Sequence, residues 1–531
     1  MNSSRRGFLE RSAGLAAILA LPYSARAAAQ QSASRTLRIG IQSMRTLNPA
    51  VQSGYATGMP GAQLFASLVL LNDKFEPVPY LARSWKVSED GLNYRFDLVT
   101  DATFHDGKPV KASDVVFSIE AVKSTHPLTS ITYKAILDSV RALDDHTVEI
   151  RLKKPFAGLF GVLTPPLTPI LPEHVYGAAA GPLRNNPAND KPIGSGPYKF
   201  VEWKRGAELV LERHEGSFRP APYFDRLVFS LAEDSLTKTL MLEQGKIDFL
   251  PYSYLRVSDL RRLKENKTLA TTTQGYEAIG PVNYLELNLR EAPFNDLRVR
   301  QAFAHAIDKK FITSTLHQGL SKRLDGPLHS SNAYFDGSVL THYAYDLKKA
   351  NALLDEAGLP RKEGGIRMQA TLDVPTFEPD STNLMADYIK AQFRRIGIDV
   401  VLRKSTDFAD WASRIGQWNY QMTMNSTFNW SDPVVGVDRS FLSSNIAKQV
   451  WTNTEGYADP EVDDLLTRAA GEADPAKRKQ LYSDFQKKVS ADLPLIWTNE
   501  GIYITLYNQR LRSIPSGVFG ALAPFDEMSF A

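Results

Sequence analysis

Strict alternation marks the stretch Val282 to Leu289, VNYLELNL, where Leu285, Leu287 and Leu289 fall on one face of an extended chain and Tyr284, Glu286 and Asn288 on the other. Such a strand suits a core on one side and a wet cleft on the other. It is placed as a crossing between two folded halves, although an ordinary half-buried strand alternates in the same way. Period two also predicts a hairpin over 81–98 around Glu89-Asp90-Gly91, with Leu92, Tyr94, Phe96 and Leu98 in alternation, and a strand over Thr147 to Leu152. A second hairpin runs out through Tyr198, Phe200 and Trp203, turns at Lys204-Arg205-Gly206 and returns through Leu209 and Leu211.

Helical periodicity follows Ser113, read as an N-cap with Val116, Ile119 and Val122 on one side. Asp296 is expected to cap a long helix through Phe311, and Asp346 another that Gly358 and Pro360 terminate. From Ile366 the order is βαβαβ: strand 366–374, helix 381–396, strand 398–402, helix 408–415 and strand 420–424. That order predicts a parallel sheet. A helix over 476–489 and a strand-like return over 495–507 complete the pattern.

A chain of 531 residues exceeds one hydrophobic core, so two or three domains are expected. Hydrophobic and charged fractions of 43% and 23% are those of a soluble globular protein. The N-terminus reads as a targeting segment. Ser4-Arg5-Arg6-Gly7-Phe8-Leu9 resembles the twin-arginine export motif, with an apolar run from Leu15 to Leu21 and a small-residue cleavage site at Ala25-Arg26-Ala27. Removing residues 1–27 takes away four basic residues and one acid and leaves the mature chain neutral. Neutrality argues against a polybasic nucleic-acid or membrane-surface protein. The absence of cysteine excludes disulfides, thiolate metal sites and a cysteine nucleophile. A freely diffusing periplasmic monomer is expected, with no nucleic-acid partner and no cofactor.

Little in the chain points to catalysis. The nine histidines are scattered, with no pair at metal-ligand spacing. Ser235-Leu236-Thr237-Lys238 matches the SxxK of penicillin-recognising enzymes, but its companions SDN and KTG do not occur. Gly194-Ser195-Gly196-Pro197-Tyr198 is followed by a strand, not by GK[ST] and a helix, so it reads as a turn. The strongest binding candidate is the loop Phe428-Asn429-Trp430-Ser431-Asp432-Pro433 after the last strand of the βαβαβ unit. Ligands in open α/β sheets bind beyond the carboxyl ends of strands, and Asn429, Trp430 and Asp432 offer an amide, an aromatic plate and a carboxylate there. A capped turn, with Asp432 bonding only its own backbone, fits the same residues.

The chain resembles family 5 of the extracellular solute-binding proteins that serve ABC importers, the peptide/nickel/opine group. The resemblance rests on LNPA, PYLARSWKVSEDGLNYRFDLVTDATFHDGKPVKASDVVFSIE, PIGSGPYKFVEW, GKIDF, NYLELNLREAPFNDLRVRQAFAHAIDKKFI, WSDP and DLPLIW, in order. It implies an α/β two-lobe hinge fold of the periplasmic-binding-protein type with an α+β subdomain inserted in lobe I. Lobe I is then 36–75, 190–282 and 497–531, the insert 76–189, lobe II 283–496, and Pro494 to Asn499 the second crossing. It implies a non-enzymatic receptor that closes on a small polar solute and delivers it to an ABC permease. The expected site is Asn429, Trp430 and Asp432, with Tyr284 and Asn288 from the crossing strand and Arg45 as a cation for an acidic group. In peptide binders of this family an aspartate stands where Asn429 stands here, as a partner for the ligand ammonium, and no arginine occurs at 382–384, where dipeptide binders place a carboxylate anchor. An opine-like conjugate, a blocked peptide or another organic acid is therefore expected. The alternatives are an exported serine hydrolase using Ser235 with Lys238, or a chaperone or signalling receptor on the same fold.

Overall fold

Two sheets, each with its own core, organise the chain. The structure, a computed structural model, describes residues 35–177, 181–253, 255–376 and 379–531. The targeting segment lies outside the described residues. In lobe I a seven-stranded sheet runs in the order Leu269–Thr272, Thr505–Asn508, Phe249–Leu250, Thr36–Ile41, Arg226–Leu231, Glu208–Arg213, Tyr198–Lys204. The hairpin at its edge turns at Gly206, whose φ of 76° is the conformation glycine adopts without a Cβ clash.

The insert is built as the alternation predicts. Ala82–Val87, Asn93–Leu98, Thr147–Leu152 and Leu137–Asp144 form a four-stranded sheet, covered by helices Ala112–Thr125 and Thr129–Ile136. The first helix starts earlier than Ser113: Lys111 is the cap residue, and Asp114 reaches back to its N–H at 2.9 Å. A carboxylate in the first turn meets the free N–H groups and the helix dipole there.

Lobe II carries a six-stranded sheet in the order Ser321–Arg323, Leu495–Gly501, Pro281–Leu287, Met422–Phe428, Met368–Val374, Ile398–Lys404. Met368–Val374 pairs in parallel with both of its neighbours, as the βαβαβ order requires, and the remaining pairs are antiparallel. The helix expected over 296–311 breaks. It covers Leu297–Ala306, Ile307 leaves helical geometry (ψ 113°), and Asp308 caps a fresh turn at Lys309–Phe311.

Sheet membership moves both crossings. Val282 to Leu287 pairs only with lobe II strands, so the first crossing is residues 273–280. Leu495–Gly501 also lies in the lobe II sheet and Thr505–Asn508 in the lobe I sheet, so the second crossing is residues 502–504, not 494–499. Each sheet runs a few residues further along the chain than the hydrophobic pattern marks, because Thr498, Asn499 and Glu500 are polar and still fully buried in the ladder.

Candidate functional site

The loop after strand Met422–Phe428 is the point where lobe II meets the rest of the molecule. Trp430 has a left-handed backbone (φ 52°), an uncommon conformation for a residue other than glycine. The ring lies 6.0 Å from Phe428 and 6.5 Å from Phe519 of lobe I, and is 5% exposed. Val435 and Trp430 both belong to the hydrophobic core that lobe I shares with the insert. On the insert side Gly158 and Gly161 permit close approach: a Cβ at Gly158 would meet Val434 at 2.7 Å, and one at Gly161 would collide with the Ser431 hydroxyl. The Ala157 N–H also donates to the Ala470 carbonyl at 3.2 Å across this junction.

The polar residues of the loop are turned inward. Asn429 accepts from the His329 N–H at 2.6 Å and donates to the Pro327 carbonyl at 3.3 Å, which fixes its amide against segment 327–329. Asp432 caps the turn Pro433–Gly436 by accepting from the Val434 N–H. Both its oxygens also accept from Arg478, at 2.8 and 2.7 Å, in a bidentate buried pair. The turn is capped as the alternative reading has it, but Asp432 does not bond only its own backbone, since a guanidinium 46 positions away pairs with the carboxylate. Asp432 thus has no charge to spare for a ligand ammonium.

Residues 76–448 match the bacterial extracellular solute-binding proteins, family 5 middle region. The chain belongs to this family. It is 28% identical over 465 residues to heme-binding protein A of Haemophilus influenzae, spanning 83% of this chain and 82% of that one. Against the dipeptide-binding protein of Escherichia coli it is 26% identical over 441 residues, 79% and 80% of the two chains. Among solved structures, NikZ from Campylobacter jejuni in complex with Ni(L-His) superposes with a TM-score of 0.79 at 26% identity, covering 93% of this chain and 99% of that one. AppA from Bacillus subtilis in complex with a nonapeptide gives 0.80 at 25% identity, covering 93% and 99%.

The remaining residues expected at the site of this family 5 protein are dispersed. Tyr284 stands mid-strand in the lobe II core, apart from Trp430, which belongs to the lobe I core. Burial pushes its phenol well up. Asn288 ties its strand to the next loop, donating to the Trp418 and Tyr420 carbonyls at 3.2 and 3.1 Å, and is 2% exposed. The wet face expected of Tyr284, Glu286 and Asn288 is therefore absent. A central strand is covered on both faces, and its polar residues persist there by finding partners. Arg45 does sit at an interlobe rim, exposed, with its guanidinium 6.0 Å from the Phe408 ring of lobe II. An aromatic cluster that sequence reasoning missed lines the crossings: Tyr252 stacks on Tyr55 at 4.8 Å and meets Tyr276 and Tyr503 at 5.0 and 5.3 Å, and Tyr503 meets Phe428 at 6.5 Å. Its members come from five separate segments, and no local signal unites them.

The serine–lysine pair has a structural setting. Ser235 Oγ donates to Asp259 at 2.9 Å and accepts from the Arg256 N–H at 2.9 Å, joining two lobe I helices, and both Ser235 and Lys238 are buried. A nucleophile must be reachable by its substrate, and this hydroxyl is enclosed.

Proposed function

We propose that this protein is the periplasmic receptor of an ABC importer, holding a small acidic or blocked solute between its lobes and passing it to a permease without altering it. The observation that carries the reading is the loop 428–436 of lobe II, which inserts Trp430 and Val435 into the core of lobe I and the insert, while only residues 273–280 and 502–504 join the lobes. A two-lobe body with so few connections and an aromatic latch is suited to hinge closure. A ligand touching both lobes favours the closed arrangement by its differential affinity alone. Names of relatives support the role: a dipeptide-binding protein, a heme-binding protein and a periplasmic peptide transport protein. The resemblance of residues 4–9 to an export motif supports the location, which fractionation of cells expressing the full chain checks.

The solute class follows from the charge at the loop. Asn429 is uncharged and bonded to backbone, and Asp432 is neutralised by Arg478, so no loop carboxylate remains to pair with a free ammonium. Mass spectrometry of solutes retained by the protein from its native periplasm is the direct test. Solutes without a free α-ammonium are expected, and each should compact the molecule in small-angle scattering. Calorimetry against free dipeptides and N-acetylated counterparts complements it. Micromolar binding of the free dipeptides, unimproved by Asn429→Asp, is the result that overturns the solute class.

A further inference from the structure

A cavity of about 210 Å³ lies between the insert and lobe II, on the far side of the loop that carries Trp430. Its walls are mainly apolar, with Ile131 and Phe156 from the insert and Val435 and Leu466 from lobe II. The volume is ample for an organic group and small for a whole solute. Arg439 lines this space. Its Nε donates to the Gly436 carbonyl at 3.2 Å, which fixes the plane of the guanidinium. The two terminal amino groups donate to no described residue, and Arg439 forms no ion pair among the described residues.

The neighbouring charges do not supply the missing partner. Asp438 is adjacent in sequence, but both carboxyl oxygens are sealed from solvent and without a hydrogen-bond partner among the described residues. Burial and the nearby Asp432 carboxylate push that carboxyl well above the usual range, and it forms no ion pair with Arg439 among the described residues. Lys154 of the insert lines the same cavity, is exposed, and forms no ion pair among the described residues. Burial lowers the Arg439 guanidinium to about 10, against the favourable influence of the Tyr284 phenol, and it remains charged at neutral pH. The cavity therefore combines mainly apolar walls with two cations on its lining, Arg439 and the exposed Lys154. A guanidinium with two free amino groups in such a place lacks the acceptors that a buried charge requires.

We propose that this cavity is a subsite for the solute's carboxylate on a short apolar arm, with Arg439 as the bidentate anchor. The inference rests on the receptor reading above and locates the acidic end of the solute. A fork of two N–H donors matches the two oxygens of a carboxylate, and the phosphate arm of the test below separates it from a phosphoryl group. The loop that carries Asn429 and Trp430 also contributes Val434 and Val435 to the wall of the cavity.

The test uses the full mature chain and 4-phenylbutyrate as the probe, with 4-phenylbutylamine and 4-phenylbutyl phosphate as comparison arms, followed by calorimetry. Saturable binding of the carboxylate is expected, with no binding of the amine. Arg439→Gln should weaken it roughly 10- to 100-fold, the effect of removing one charge-assisted pair. Ile131→Trp, which fills the cavity and leaves Arg439 in place, should weaken it as well. Thermal melting of Arg439→Gln should equal or exceed that of the parent, because an unpaired cation has been removed from a partly buried site. No saturable carboxylate binding, equal binding in Arg439→Gln, or tighter binding of the phosphate overturns the proposal. Retained native solutes separate the two readings. If the parent and Arg439→Gln retain the same solutes equally, the subsite fails and the receptor stands; if the parent retains none, the receptor reading itself fails.

Discussion

At the scale of single residues, the pair Asp432–Arg478 decides what the loop after Phe428 offers. Arg478 is 3% exposed, and besides both oxygens of Asp432 it reaches the Ala469 carbonyl at 2.8 Å and the Tyr334 hydroxyl at 2.6 Å. The Asp432 carboxylate holds the guanidinium well above its ordinary range. Removing one member of such a pair leaves the other charge buried and unanswered, at a cost of about 3–5 kcal/mol. Arg478→Met is therefore expected to lower the urea midpoint strongly, and adding Asp432→Asn, which keeps an oxygen for the cap, should recover most of the loss. A double variant no more stable than Arg478→Met alone means that the guanidinium stabilises through its packing and carbonyl contacts, not through the carboxylate. Nothing local in the sequence marks this pair, since its members stand on separate elements. The short motif Trp-Ser-Asp-Pro is legible, whereas its charge state is not.

At the scale of elements, edges and hairpins were legible and the central strand was misread. The hairpins 81–98 and 198–213 each keep exposed positions, so alternation reports their geometry directly. Strand Pro281–Leu287 alternates too, yet Glu286 is 1% exposed and accepts from Tyr420 at 2.6 Å, Asn425 at 2.9 Å and Thr454 at 2.6 Å. Polar letters here signal a buried network whose partners lie more than a hundred residues away. The network also contains Glu455, which burial and the neighbouring Glu286 push well up, and burial likewise raises Glu286 despite its three donors and nearby Arg290. Both acids are raised in the folded state, so between the ordinary carboxylate range and the folded values the native chain binds more protons than the unfolded one. Stability from this network is then fully present below the unfolded values and is lost as pH rises through the folded ones. Glu455→Gln should flatten the fall in melting temperature as pH rises above the ordinary carboxylate range, relative to the parent. An unchanged profile places the pH dependence elsewhere.

At the scale of the whole molecule, two separate cores are joined by two short crossings and by contacts between the halves, among them those of the loop after Phe428. Trp430 is a buried member of those contacts: it belongs to a lobe II loop and its ring packs against Phe519 of lobe I. Truncating a buried tryptophan costs about 3–5 kcal/mol. Here much of that loss falls on the docking of one lobe against the other, because the lobe II sheet keeps all of its strands without it. Each 1.4 kcal/mol withdrawn from the docked arrangement shifts the open-to-closed ratio about tenfold. Trp430→Ala should therefore expand the solute-free molecule in small-angle scattering while near-ultraviolet circular dichroism reports intact lobes. It should weaken solute capture by a similar factor, since the solute must then supply the closure energy that the indole supplied. The alternative is a tryptophan that only fills the core shared by lobe I and the insert. In that case the variant melts at lower temperature, keeps the parent's scattering envelope and binds its solutes with unchanged affinity, and the loop is a structural plug in place of a latch.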